Sequence, residues 1–447
     1  MSELYAIARV IDERVSYTRP MPPIRLPPQW NRKVVELRRM VMYAVPVGIL
    51  AGAGVAALET VCNQLLWAHL GTMSIAVRVI WPVVGLMVSA FVLHRLRVRT
   101  VGMLNEVVVH YHTPPESLSA REDALKLGAC VATVGLGASA GLGGPSQWLG
   151  ARIALYVLYA VRRRRVFRGI APAQGLLIGA AAGVSAIFRA PLAGTLLALE
   201  TPFSKDMDST ALVPASLAAL IAHIVHGMLV DTDPLLPFPS TVTDPAGAFI
   251  SAVVIGVVAG FVSRRFQRVL IWVRRQTGHL AWYWRGLGGG AVTSITGYIA
   301  WIYFGETWTF QGGLPLAHAV FAAKFIGIAA IALLGLKLVS VWATFGTSGV
   351  AGLLVVTLTV GSLIGASCQP FLWGLTPATA CAVGVCAYLA ANYNAPLTAI
   401  ALAAEWGGTG LLKLAWVAVL IAAWIGEGLA NTPAKTGRRH ARTIGHQ

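Results

Sequence analysis

Long, largely apolar runs constrain this chain more than any other feature. Met40–Leu70, Ser74–His94, Leu212–Val230, Ala246–Phe261, Ala322–Ser340 and Leu411–Ala430 are each rich in Ala, Val, Leu, Ile, Gly and Trp. A helix crossing the ~30 Å hydrocarbon core of a bilayer needs about 20 such residues. Between them lie shorter runs broken by glycine or proline: Ala129–Ala140, Gln147–Val161, Gly175–Gly183, Leu192–Leu199 and Pro396–Ala404. Broken helices cannot face lipid, because the freed backbone groups would go unpaired there, so they must be buried in protein or line a wet cavity. This mixture predicts an all-α polytopic membrane protein of the transporter or channel kind. Only 12% of residues are charged, too few to coat the surfaces of about three soluble domains.

The net charge is +17. In a soluble protein that would suggest nucleic acid. Here the positive residues cluster at Arg95–Arg99, Arg162–Arg168, Arg264–Arg275 and Lys435–Arg442, with Arg19, Arg25, Arg32 and Lys33 in a Pro-rich head. All lie between or beyond the apolar runs, as the positive-inside rule expects of cytoplasmic loops. The pattern predicts a cytoplasmic basic leader over 1–33, a transmembrane domain over 34–431 and a basic cytoplasmic tail over 432–447. The setting is the cell inner (plasma) membrane, with lipid as a partner and no nucleic acid. No signal-peptide core precedes Val34. Five cysteines without a C-x-x-C pair read as core thiols. His223 and His226 share a helix face but lack the further ligands of a metal site, and read as interhelical hydrogen-bond partners. No metal or other cofactor is expected. Nor is an enzyme: Ser146 has no base in sequence, and no paired-Asp constellation occurs on a membrane helix.

An internal repeat is visible. Ala190-Pro-Leu-Ala-Gly-Thr-Leu-Leu-Ala-Leu-Glu200 matches Ala395-Pro-Leu-Thr-Ala-Ile-Ala-Leu-Ala-Ala-Glu405 at six of eleven positions, each ending on glutamate. Upstream of each lie a small-residue stretch and a glycine-rich break, Gly135–Gly144 and Gly346–Gly352. Two related halves, about 40–230 and 245–430, follow. Repeats in transporters commonly hold the substrate between broken helices near the bilayer midplane.

The breaks have a chemistry. In Gly141-Leu142-Gly143-Gly144-Pro145, proline suits the first helical position and the glycines let backbone approach a ligand. The first amides of the helix then point outward unpaired, with the positive end of the helix dipole behind them. Inside a bilayer this is an anion site. Gly352-Leu353-Leu354-Val355 is the counterpart in the second half.

With these motifs in place, the chain resembles the CLC chloride channels and chloride/proton antiporters from about Arg32 onward. Gly179-Ala-Ala-Ala-Gly183 followed by Phe188-Arg-Ala-Pro-Leu-Ala-Gly194 carries most of the resemblance, and Asn394–Glu405 looks like the matching second-half element. The resemblance implies inverted repeats of broken, tilted helices and a homodimer with a pore in each subunit. It places the family's first anion-binding motif on Thr100, Val101 and Gly102, its gating-glutamate motif on Leu142, Gly143, Gly144 and Pro145, and its second-half donors on Leu353, Leu354 and Val355. The departures are informative. Val101 stands where the family has a serine, Gly143 where it has the gating glutamate, and Thr201 where antiporters have a proton-accepting glutamate. The tyrosine expected near Lys435 is missing, Tyr393 being the last in the chain, and Arg189 replaces an asparagine.

Proton coupling needs titratable groups along a pathway, and both family positions lack them. The expectation is therefore a passive conduit for small anions. An antiporter using replacement acids such as Glu106 or Glu200 is the rival, and a non-conducting relative a third reading. An ionisable residue in a membrane is functional by default, so Arg189 is a candidate charge in the inner vestibule, or else a snorkelling side chain at the cytoplasmic edge. Glu200 and Glu405 read as a matched structural pair.

Overall fold

A computed structural model of the chain describes residues 28–96, 103–115, 117–161, 169–202, 209–239 and 245–430. The leader up to residue 27, the tail from 431, and Thr100, Val101 and Gly102 lie outside the described residues.

The main helices of the first half are α1 (Pro28–Glu59), α2 (Trp81–Arg95), α3 (Met103–His112), α4 (Ala120–Gly135), α5 (Gly143–Val161), α6 (Pro172–Phe188), α7 (Pro191–Glu200) and α8 (Leu212–Leu229). Those of the second are α9 (Pro245–Thr277), α10 (Trp282–Phe304), α11 (Leu314–Phe321), α12 (Ile328–Thr347), α13 (Leu354–Cys368), α14 (Pro377–Tyr393) and α15 (Pro396–Ala430). Among the described residues seven helices are long and apolar enough to cross a membrane. The predicted short run at 396–404 and long run at 411–430 are two helical segments of α15, separated at Gly408, whose φ of 66° and ψ of −164° are not helical. Large apolar side chains such as Leu65, Met228, Ile250 and Ile328 are exposed, as on a lipid-facing surface.

Proline at the first turn opens α6, α7, α11 and α14, where its missing N–H costs nothing. The short helices are buried by close backbone contact rather than by large side chains. A Cβ added to Gly183 would stand 2.0 Å from the Ser146 carbonyl oxygen, and one added to Gly365 would stand 2.1 Å from the Ala380 carbonyl oxygen. Glycine at these crossings lets α5 meet α6, and α13 meet α14, backbone to backbone, as small residues commonly do in membrane bundles. Each half thus builds its core pair by the same device.

The two halves insert in opposite senses. The start of α6, at Gly169 to Gln174, lies beside the first turns of α1. Their far ends meet again where Glu59 faces Arg189. The end of α5 lies on the α6-start face too: a Cβ added to Gly175 would stand 3.3 Å from Leu158 Cδ2. The loop before α5 joins the far face: the Gln311 amide donates to the Gly137 carbonyl, and the Gln311 side chain lies 3.4 Å from Asn63 Oδ1 beyond Glu59. The loop before α13 starts from the basic face, at Thr347 and Ser348 beside the end of α2. Hence α5 and α13 begin mid-molecule and run to opposite faces, as an inverted repeat requires.

Candidate functional site

The two loops that launch α5 and α13 meet. Gly141 N–H donates to the Gly352 carbonyl and Gly352 N–H to the Gly141 carbonyl, both at 2.9 Å, an isolated antiparallel bridge. The junction is tight enough that only glycine fits. A Cβ on Gly352 would stand 2.2 Å from Gly144 N, and one on Gly144 would stand 2.9 Å from Gly352 Cα.

What this leaves unpaired decides its chemistry. Ser146 N–H returns to Leu142 O and Thr357 N–H to Leu353 O, closing the first turns of α5 and α13. The amides of Leu142, Gly143 and Gly144, and those of Leu353, Leu354, Val355 and Val356, have no hydrogen-bond partner among the described residues. All but Leu353 are buried. Leaving a buried donor unsatisfied costs about 1–3 kcal/mol, so a cluster of them is costly unless an anion or water completes it. Neighbouring amides are, by contrast, satisfied within the protein: Ser139 N–H by Thr344 Oγ1 and Val350 N–H by Thr133 Oγ1, both at 3.2 Å. The consecutive unpaired amides therefore gather at the two helix starts.

The side chains at the junction are apolar. Leu354 is 1% exposed, and its Cβ would lie 2.6 Å from a Cβ placed on Gly143. Leu354 thus fills the space that a side chain at 143 would need. The structure brings Leu142, Gly143, Gly144 and Pro145 together with Leu353, Leu354 and Val355.

Lys337 was missed in the sequence, although a lone lysine inside a membrane run is a functional signal by itself. It sits on α12, is fully buried, and donates from Nζ to the carbonyls of Thr309 (2.9 Å) and Gln311 (2.7 Å). The same loop touches the junction: a Cβ on Gly312 would lie 2.6 Å from Val355 Cγ1 and 3.6 Å from Gly141 Cα. Among the described residues no carboxylate pairs with Lys337. A basic group one loop from the junction adds positive potential to that of the amides.

Thr201 ends α7 with its hydroxyl donating back to Leu197 O, and so offers no proton carrier. Glu106 is clasped by Lys126 at 2.8 and 2.9 Å. Glu200 and Glu405 perform a reciprocal task. Glu405 accepts from the Leu192 and Ala193 amides (2.7 and 2.8 Å) at the start of α7, while Glu200 accepts from the Leu397 and Thr398 amides (3.0 and 2.8 Å) at the start of α15. Each half's glutamate caps the other half's helix. His226 bonds Glu59 at 2.8 Å, an interhelical pair as expected of it.

Arg189 does not stand in an inner vestibule. It lies at the end of α6 away from the basic loops, with Nη1 2.8 Å from Asp231 Oδ2 and 3.0 Å from the Asp233 carbonyl, and Nη2 3.5 Å from Glu59 Oε1. Its φ of 54° and that of Asn394, 52°, are both left-handed and both precede Ala-Pro-Leu. Asparagine adopts that conformation readily, whereas arginine is held there at a cost of about 1–2 kcal/mol. The acidic contacts offset that strain.

A helix pair that starts mid-molecule, an antiparallel glycine bridge and paired Ala-Pro-Leu breaks are the setting in which the comparisons with known proteins fall. The model of the voltage gated chloride channel family matches residues 82–427. The chain belongs to this family. Relatives include an H(+)/Cl(−) exchange transporter from Yersinia pseudotuberculosis, 26% identical over 93% of this chain and 92% of that protein. A chloride/fluoride channel protein from Pseudomonas syringae pv. tomato is 26% identical over 82% and 79%. A slow cyanobacterial Cl−/H+ antiporter has the same fold, with TM-score 0.76 at 19% identity over 92% of this chain and 99% of that one. A CLC-type fluoride/proton antiporter gives 0.74 at 21% identity over 88% and 96%. The chain is a multi-pass membrane protein of the CLC fold, and anion transport is the family's activity.

Proposed function

We propose that the chain is a passive channel for chloride or a related small anion, with a pore in each subunit of a homodimer in the cell inner membrane and both termini cytoplasmic. The observation that carries this reading is the pair of naked helix starts held together by the Gly141–Gly352 bridge. Amide donors there replace an anion's hydration, with the Lys337 amine held on the carbonyls of the neighbouring loop rather than at the junction itself, so binding is strong enough to admit an ion and weak enough to release it. Leu142, Gly143, Gly144, Leu353, Leu354 and Val355 supply the donors, and Pro145 lies in the first turn of α5. Thr100, Val101 and Gly102 are assigned by family resemblance to the inner end of the same path. The ion is the transported substrate, and no cofactor takes part.

Uncoupled flow is supported by the absence of an acid at Gly143 and Thr201, and by the engagement of the replacement acids. Glu106 is tied to Lys126, and Glu200 is consumed in capping α15. Exchange is the second reading, because relatives from Yersinia and Citrobacter are named exchange transporters and two similar structures are antiporters. The test is flux from proteoliposomes preloaded with chloride, bromide, nitrate or fluoride, followed with a pH-sensitive dye. Channel function predicts anion efflux without uphill proton movement. Proton pumping driven by an anion gradient would overturn the channel reading, and no anion flux in any vesicle would favour a non-conducting relative.

A further inference from the structure

An electropositive cavity lies on the basic-loop face, beside the stretch that leads to the junction. It holds about 280 Å³ between the end of α9, the start of α10 and the loop at 346–349. Arg274, Arg275 and Arg285 line it, and among the described residues no acidic one does. Arg274 Nε donates to Phe345 O at 3.1 Å, and Arg285 Nη2 donates to Thr347 O. The Thr277 hydroxyl donates to Gly346 O. Side chains of α9 and α10 thus tether the last turn of α12, from which the chain leads on to α13, while Arg275 is exposed at the rim.

The surroundings indicate the depth. Trp272, Tyr283 and Trp284 are 60%, 46% and 56% exposed on the same two helices. Exposed tryptophan and tyrosine gather where lipid headgroups meet the hydrocarbon. A cavity of this volume is at the small end of ligand sites. It suits a headgroup-sized anion rather than a whole lipid, and guanidinium groups match phosphate oxygens by their planar, multiple-donor geometry.

We propose that this cavity is a phosphate-binding site, filled by the phosphodiester of an anionic phospholipid or by free phosphate, and that its occupant braces the loop carrying Leu353 and Leu354. Basic pockets between membrane helices on the cytoplasmic side are chemically suited to acidic headgroups. The bracing part rests on the channel reading above, whereas the binding part does not.

Two measurements separate them. Native mass spectrometry of the full chain, purified with phosphatidylglycerol and phosphatidylcholine, reads binding. Wild type should retain phosphatidylglycerol over phosphatidylcholine, Arg275→Gln and the double Arg274→Gln/Arg275→Gln should lose it severalfold, and Arg275→Lys should keep part. Arg268→Gln removes the same charge from α9 outside the cavity and should retain lipid as wild type does. Equal retention by wild type and the cavity variants would overturn the site, whatever the protein conducts. Chloride efflux from vesicles of phosphatidylcholine, with and without phosphatidylglycerol, reads bracing: wild type should flow severalfold faster with the anionic lipid, and Arg275→Gln should lose the difference. Recovery of that gain by inorganic phosphate in neutral vesicles assigns the source to free phosphate, and no recovery assigns it to the headgroup. Lipid retention that depends on Arg275 with no flux in any vesicle would uphold the site and sink the conduction reading instead.

Discussion

Gly141 and Gly352, from opposite halves of the chain, donate to each other's carbonyl at 2.9 Å and so hold the starts of α5 and α13 in contact. Each of the two loops arrives from a different face of the molecule. The bridge is what turns two separate helix ends into one cluster of donors.

Gly352→Ala tests the bridge. Its Cβ would stand 2.2 Å from Gly144 N, a backbone atom that cannot rotate away. Overpacking of this kind costs about 1–3 kcal/mol. Anion flux per folded protein should fall at least tenfold, with a lower unfolding temperature in detergent. Wild-type flux would show that the junction is not on the path.

Gly143→Glu places a carboxylate at the junction but must displace Leu354, whose Cβ and Cδ2 lie 2.6 and 2.8 Å from the new Cβ. The single variant should therefore be destabilised and slow. Gly143→Glu/Leu354→Ala should recover stability and conduct with a new pH dependence. An ionised carboxylate competes with the anion for the amides, so flux should rise as pH falls through the glutamate range. Flux that is unchanged and pH-insensitive in the double variant would count against the assigned pore.

Lys337→Met removes a buried basic group one loop from the junction. At an effective dielectric of about 20, such a charge contributes about 1–2 kcal/mol to a nearby anion. Anion affinity measured by calorimetry should drop about tenfold, and Lys337→Arg should retain most of it. Equal losses in both variants would mean that Lys337 serves only to hold the Thr309 and Gln311 carbonyls.

Glu405→Ala strips two amides at the start of α7 of their acceptor, and Glu200→Ala does the same for α15. Each should lower stability by about 1–3 kcal/mol, read as a fall in unfolding temperature. Proton movement in the flux assay should be no different in Glu200→Gln. A change in proton movement there would make Glu200 a proton carrier.

Asp231 gives a pH prediction outside the membrane. The Asp233 N–H, with Arg189 beside it, holds the Asp231 carboxyl below the usual aspartate range. A group whose folded pKa is depressed contributes above its unfolded value, about 3.9, and loses that contribution as pH falls through the folded value. The difference in unfolding temperature between wild type and Asp231→Asn should therefore be constant from neutral pH to about pH 5 and shrink only at stronger acidity. A difference that vanishes by about pH 5 would mean that the tether to Arg189 does not form.

Much of this was legible in residue order. Run length required membrane helices, Ala-Pro-Leu with a spaced glutamate revealed the repeat, and Gly-Gly-Pro marked a helix start that could present bare amides. These are local properties: hydrocarbon thickness, proline's missing donor and glycine's missing side chain act within one segment. The partners of the charged residues were not local. Arg189 read as a vestibule charge or a snorkelling side chain until Asp231 and Glu59 were seen around it, Lys337 passed as part of a membrane run, and the arginines of α9 read only as topology signals. Which loop meets Gly141, which helix Glu405 caps and which carbonyls hold Lys337 depend on contacts between distant segments. Such contacts are selected by packing of the whole bundle, so only the tertiary structure decided them.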